Sequence, residues 1–355
     1  MKNLFLFALS SLLLVAIGRG QESVEGKYLS NVKQVTPTGL FVKAGEGYFS
    51  ADGKQIIYQA VPPGYPFYQI YRQTLSNDPQ EPVRPKLVST GRGSTTCSYF
   101  AKDGQRLLFA SSHLDPNLKE TEAGERKLLA DEARTGQRRR YSWDFDPYMD
   151  IFETDLDGNI LRQLTKEKGY DAEGAWTPDG KHIVFCSDRD GDPDLYVMKA
   201  DGSDVRQLTN TPGYDGGPFT SPDGKWVVFR SDRKETHMLQ LFVIDIDGKN
   251  ETALTDNIGV NWAPYWHPTQ PFIIWTGANH SNLKPGTRPN YDLLLMKYTL
   301  SDGHISPGPI HRITDHPAAD VLPVFSPDGT QLLWTSNRTP DHSSQLFLAD
   351  FKLPE

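Results

Sequence analysis

The sequence predicts an all-β fold, a six-bladed β-propeller of four-stranded antiparallel blades closed by the amino-terminal strand. Three observations carry this expectation. The first is a repeat: Gly169 to Thr209 aligns with Gly213 to Thr255, Asp179 falling on Asp223 at a spacing of 44 residues. Weaker copies centre on Ala51-Asp52-Gly53, Lys102-Asp103-Gly104, His267-Pro268-Thr269 and Pro327-Asp328-Gly329, making six units. A period in the forties with strands inside each unit is the signature of propeller blades. The second is turn chemistry. Pro-Asp-Gly presets φ at Pro, lets Asp accept from the backbone and places Gly at positive φ, while Asp-Gly recurs at Asp157-Gly158, Asp201-Gly202, Asp247-Gly248 and Asp302-Gly303. The third is a mismatch at the ends. Lys33 to Thr36 has the form of a fourth strand but precedes the first unit, and the last unit stops at Phe351 after three strands. The orphan strand is therefore expected to complete the last blade.

In chain order, residues 1–20 read as a signal peptide. Met1-Lys2 is positive, Leu4 to Ile17 is apolar except for Ser10 and Ser11, and Gly18 and Gly20 suit cleavage near Gly20/Gln21. The run is too short for a hydrocarbon core of about 30 Å, and no cysteine near the cut offers a lipid anchor. The mature chain is expected to be periplasmic or secreted, with no membrane span and a single propeller over 21–355. Within each unit an inner strand such as Ala175-Trp176-Thr177 precedes a second such as His182 to Ser187. A third follows, such as Leu195 to Met198, and then a fourth such as Val205 to Thr209. Runs like Ile183 to Cys186 are apolar on both faces, as blades stacked between neighbours require.

The second unit departs from the pattern by an insertion at 114–147. Asn117 to Thr135 has the composition of a charged helix, and Arg138 to Tyr148 is basic and aromatic. Long loops in compact domains are usually functional or disordered. Arg139 and Trp143 are thus candidates for a lid over the channel, the alternative being a solvated loop whose arginines pair with its own acids.

The composition excludes some partners. With 37 basic and 45 acidic residues the net charge is −8, which argues against nucleic acid. The apolar fraction of 37% and charged fraction of 23% describe a globular chain. Cys97 and Cys186 each lie in strand-like apolar runs and read as buried thiols, although a disulfide is not excluded by spacing.

The string Ser-Pro-Asp-Gly-Lys, two hydrophobics, Phe, x, Ser, x, Arg spans Ser221 to Arg233, and close versions span Thr177 to Arg189 and Ser326 to Arg338. This pattern resembles the TolB-type, WD40-like propeller repeat. The resemblance implies the six-bladed fold. TolB itself carries an α/β domain before its propeller and works in the Tol–Pal envelope system, whereas about ten residues here separate the expected cut from the first strand. The chain therefore resembles an isolated TolB-like propeller.

Up-and-down strands put the short Pro-Asp-Gly and Asp-Gly turns on one face and the variable loops on the other, and variable loops on a rigid scaffold usually bind. Nearest the channel on that face are Glu46, Tyr170, Asp171, Glu173, Tyr214, Asp215, Trp262 and Asp320, the expected binding residues. Clustered carboxylates favour a bound cation or a raised pKa, so Asp171, Glu173 and Asp215 are candidate ligands for a divalent cation, Ca or Mn. The alternative is scaffold, with each Asp accepting neighbouring N–H groups. His113 and His280 stand where other units carry Arg189, Arg233 and Arg338, and are read either as structural substitutes or as catalytic or metal groups. Asp188, Asp190, Asp192 and Asp194 alternate, but without the glycine placement of an EF-hand loop, and read as turn chemistry. His267 reads as a turn cap.

The leading expectation is a binding module that recognises a glycan, peptide or envelope protein at the channel mouth. No Gly-x-Ser-x-Gly, P-loop, His-Glu-x-x-His or Gly-x-Gly-x-x-Gly motif occurs. Two alternatives come from the resemblance. One is a metal-assisted carbohydrate-active enzyme similar to oligogalacturonate lyases, which share a TolB-like propeller. The other is a Tol–Pal-type scaffold.

Overall fold

Six four-stranded antiparallel sheets follow one another along the chain. The computed structural model describes residues 23–355 apart from 77–82, 138, 140–144, 282 and 285, so the signal segment and Trp143 lie outside the described residues. Blade one is Lys43–Phe49, Gln55–Val61, Gln69–Thr74 and Lys86–Leu87. Blade two is Thr95–Phe100, Arg106–Ser111, Asp150–Asp155 and Ile160–Gln163. Blade three is Asp171–Trp176, His182–Ser187, Asp194–Lys199 and Arg206–Gln207. Blade four is Asp215–Thr220, Trp226–Ser231, Gln240–Asp245 and Thr252–Ala253. Blade five is Gly259–Trp266, Phe272–Asn279, Asp292–Ser301 and His304–Arg312. Blade six is Asp320–Phe325, Gln331–Ser336 and Gln345–Phe351, and its outer strand is Leu29–Gln34, paired antiparallel with Gln345–Phe351. First strands touch one another around the ring, including the first and sixth blades.

The turns behave as their residues dictate. Ser221 Oγ bonds Asp223 and the N–H of Trp226, and Ser50, Thr177 and Ser326 repeat the device. His267 does the same work in blade five, its Nδ1 accepting from the N–H groups of Thr269 and Gln270. The core lies between blades. Ile183, Val184, Phe185 and Cys186 are fully buried, as are Val227, Val228 and Phe229. Each such side chain contributes about 1.5–3 kcal/mol.

Two features of the first strands shape the bore. Each strand carries a bulge, and at it Glu46, Cys97, Glu173, Gly217, Ala263 and Leu322 all adopt the left-handed region with φ between 47 and 61°. Only one of these is glycine, so five residues bear a conformation costing about 1 kcal/mol or more. A bulge re-aims its side chain, and here six are re-aimed at one level of the ring. Two residues further along, Tyr48, Tyr99, Phe219 and Tyr265 meet across the axis with ring centroids 5.1–6.3 Å apart. The hydroxyls of Tyr99 and Tyr265, from opposite blades, lie 3.1 Å apart. This aromatic plug closes the bore, and the sequence reading did not foresee it.

Candidate functional site

First strands run from the variable-loop face towards the Pro-Asp-Gly face. Moving inwards from the mouth, the bore therefore meets the first residues of these strands, then the bulge ring, then the plug. The residues expected to converge on one site divide between the first two levels.

Asp171, Asp215 and Asp320 are first residues, and each belongs to a clasp. Arg189 Nη2 donates to Asp171 at 3.0 Å and Arg338 Nη2 to Asp320 at 2.7 Å, and Arg233 pairs with Asp215 in the same way. The same arginines bond Ser187, Ser231 and Ser336 through Nε and lie over aromatic rings. The backbone N–H groups of the three aspartates donate to the preceding blade, at Met149, Pro193 and Tyr291. Burial pushes the Asp171 and Asp215 carboxyls up, with the serine and arginine contacts opposing it. Each of these aspartates has an arginine where a cation was expected, the arrangement that the scaffold alternative describes.

His113 is the matching substitute in blade two. Its Nδ1 lies 3.0 Å from Ser111 Oγ, its ring packs tilted against Phe152 with centroids 4.4 Å apart, and Thr95 stands where the clasp has Asp. Burial lowers its pKa. In blade five the register corrects the sequence alignment. Gly277 pairs with Asn261 as Ser187 pairs with Asp171, so Asn279 holds the arginine position and His280 lies one residue beyond it. His280 donates its N–H to Ile258 O, and its Nε2 is buried without a partner among the described residues. The two histidines are thus not brought into one constellation with the acids.

Glu46 and Glu173 are bulge residues and lie deeper. Glu173 accepts from Tyr170 Oη at 3.2 Å, Tyr214 Oη at 2.9 Å, Arg230 Nη2 at 3.1 Å and the Gly217 N–H. Tyr214 and Tyr170 serve this carboxylate, and Arg230 also donates to Tyr214 Oη at 2.6 Å. Glu46 accepts from Tyr48 Oη at 3.3 Å and from the Cys97 thiol. Burial pushes its carboxyl up to about 7, with Cys97 and Arg230 opposing and Glu173 reinforcing the rise. Burial also raises the Cys97 thiol far above its ordinary range, so it stays protonated. Sequence reasoning missed Arg230 and Cys97. Their signal was positional, since Arg230 aligns with Cys186 in the two best-matched units and Cys97 with Glu173.

The insertion sits on the mouth face. Its helix α1, Leu118–Thr135, is mostly exposed and anchored by buried Glu122, which accepts from Tyr65 Oη and Arg92 Nε, both at 2.7 Å. Arg139 does not reach the channel but pairs with Glu125 and Glu132 of that helix. Phe145 packs on Tyr170 and Tyr214 at 5.1 and 5.8 Å, tying the insertion's end to the bore. Trp262 stacks edge-on with Tyr291.

Asp190, Asp192 and Asp194 come together, unlike Asp171, Glu173 and Asp215. Their carboxylates offer oxygens within 4.8 Å of one another, the one such group among the described residues. Burial pushes Asp194 up to about 6, and neighbouring carboxylates add to the rise. A cleft of about 580 Å³ lies on the opposite, short-turn face between blades three and four, lined by Lys102, Pro178, Asp179, Pro222 and Asp223 among others.

The closed ring, the repeated clasps and the turn motif define a TolB-like β-propeller. Residues 135–276 match the family model of the TolB beta propeller domain. Among solved structures, a TolB candidate from Agrobacterium tumefaciens is 21% identical with a TM-score of 0.55, over 87% of this chain and 91% of that one. TolB from Acinetobacter baumannii is 18% identical with a TM-score of 0.53, over 88% and 65% of the two chains. An oligogalacturonate lyase from Vibrio parahaemolyticus is 13% identical with a TM-score of 0.52, over 91% and 94%. At these identities the likeness establishes the fold. Among curated proteins none matches by sequence, and no described helix is long and apolar enough to cross a membrane.

Proposed function

We propose that this chain is an exported propeller, periplasmic or secreted, that binds a protein or peptide partner of the cell envelope at its variable-loop face. The observation that supports this reading is the apolar exposure of that face. Ile258 is 68% exposed, Val42 56% and Leu114 53%, and Leu128 and Leu129 project from α1, all in loops or the insertion around the mouth. Exposed apolar side chains on a face of variable loops favour a protein surface; others stand at the short-turn end and on outer strands, among them Leu300 and Leu161. The glycan reading rests on Trp262 and Tyr291 alone. The lyase-like reading fits less well, because Asp171 and Asp215 are held by arginines and Glu173 by Arg230. A divalent cation, Ca or Mn, is better accommodated by Asp190, Asp192 and Asp194, since hard cations take several carboxylate oxygens.

Photo-crosslinking tests the reading. A benzophenone side chain at position 258 or 42 is expected to trap one discrete partner from the native envelope, competed by unlabelled protein but not by an Ile258→Asp variant. The same probe at Asp201 or Asp247, on the short-turn face, is expected to trap none. Equal adducts from both faces would overturn it.

A further inference from the structure

We propose that the bore between the mouth and the aromatic plug is a subsite for a primary ammonium group, with Glu46 as its counter-charge and Gln59 as a second acceptor. The inference rests on the mouth-face reading above and names the chemistry that would enter there.

The first argument is a charge count. At the bulge ring the described residues present two carboxylates, Glu46 and Glu173, and one guanidinium, Arg230. Arg230 is committed to Glu173 and Tyr214. Among the described residues Glu46 receives the Tyr48 hydroxyl and the Cys97 thiol, both neutral donors. Arg230 acts on Glu46 only at a distance, so among the described residues no cation bonds this carboxylate, in a buried setting where an unpaired charge is costly.

The second argument comes from Gln59, which is 91% buried and whose Oε1 has no hydrogen-bond partner among the described residues. Gln59 pairs with Ile70 of the third strand as Arg230 pairs with Leu241, Thr276 with Leu293 and Thr335 with Leu346. Those three side chains all reach bulge residues: Arg230 reaches Glu173, Thr276 accepts the Leu322 N–H and Thr335 accepts the Glu46 N–H. The two threonines reach the bulge residue of the next blade, and Cys186 at this register reaches Asp215 O of the next blade, so the same register turns Gln59 towards Cys97 of the bulge ring, where its acceptor oxygen lacks a donor among the described residues.

The third argument is access. Glu46 and Cys97 keep 8% exposure and Glu173 5% despite their depth, and the plug lies beneath them. An ammonium supplies three donors and a full positive charge in a small volume, which matches a carboxylate and an amide oxygen above the plug. Cations without N–H groups do not meet both demands. The groups facing Glu46 are Tyr48 on its own strand, Cys97 from blade two, Glu173 from blade three and Arg230 from blade four, so an entering ammonium and a proton compete for the same carboxylate.

Isothermal titration of the whole mature protein tests this with n-butylammonium against n-butanol. Two peptide pairs distinguish the source: acetyl-Gly-Lys-Gly-amide against its norleucine counterpart for a side chain, and Gly-Gly-Gly-amide against its acetylated form for a chain terminus. At pH 8 the ammonium probes are expected to bind at least about tenfold more tightly than their neutral partners, the scale of a charge-assisted hydrogen bond. The preference is expected to vanish in Glu46→Gln and to fall by about tenfold towards pH 6 in the unaltered protein. Gln59→Leu is expected to weaken binding while keeping the pH dependence. Equal affinity for butanol and butylammonium, no ammonium binding at all, or unchanged binding in a folded Glu46→Gln protein would overturn the proposal. Those results leave the crosslinking at position 258 untouched, so the subsite can fail while the mouth-face reading stands.

Discussion

Replacing Glu46 by Gln should stabilise the protein above neutral pH and do little in mild acid. The substitution keeps side-chain volume and the left-handed backbone, and removes only the ionisation. Burial raises the carboxyl from an ordinary 4.5 to about 7, so between those values the folded state holds a proton that the unfolded chain releases. Stability from this group is complete below pH 4.5, declines as pH rises towards 7 and is then constant. At about 1.4 kcal/mol per pH unit the loss comes to about 3 kcal/mol. For a chain of this length that is about 4 °C in Tm, taking about 2.1 cal/mol/K per residue. The assay is a pair of urea or thermal melts at pH 4.5, 6, 7 and 8.5 for both proteins. The difference should open with pH in favour of Glu46→Gln and flatten above pH 7. A difference independent of pH, or one that favours the wild type increasingly at high pH, would refute the reasoning, because either means that Glu46 is a well-compensated carboxylate in the fold.

Arg233→Ala should cost about 3 kcal/mol or more, because it strands the buried Asp215 carboxylate. Arg206→Ala, removing an exposed partner of Asp247, should cost under about 1 kcal/mol, and comparable losses in urea melts would contradict the clasp. Phe219→Ala should destabilise by about 3–5 kcal/mol as a large-to-small core change and open the plug to water, read by faster amide exchange in the first strands. Cys97 and Cys186 are unbridged and buried, and burial raises both thiols, so neither should react with a thiol reagent until the protein unfolds. Glu122→Ala should leave the melting temperature nearly unchanged but speed proteolysis within Leu118–Thr135, since that helix is fixed chiefly by the Glu122 contacts to Tyr65 and Arg92; an unaltered cleavage rate would show that other contacts hold it.

Much of the fold was legible because turns and strand faces are local. Pro-Asp-Gly and Asp-Gly fix where the chain reverses whatever surrounds them, so six units, their strand order and the place of the 114–147 insertion could be read from residue identity and spacing. The orphan segment Lys33 to Thr36 even indicated where the ring closes. The site was legible only as a list of residues near the mouth. What divided that list was depth and partnership, which depend on neighbouring blades. Asp171, Asp215 and Asp320 look like ligands in sequence, but a register-matched arginine 18 residues later folds back onto each. Glu46 and Glu173 look like mouth residues and sink to the bulge ring because a left-handed residue turns each side chain inward. Arg230, Cys97 and Gln59 carry no motif and matter only because the ring brings blades one to four to one axis. Local chemistry determined the propeller and its turns; the contacts between blades, made by residues far apart along the chain, decided which charges are paired.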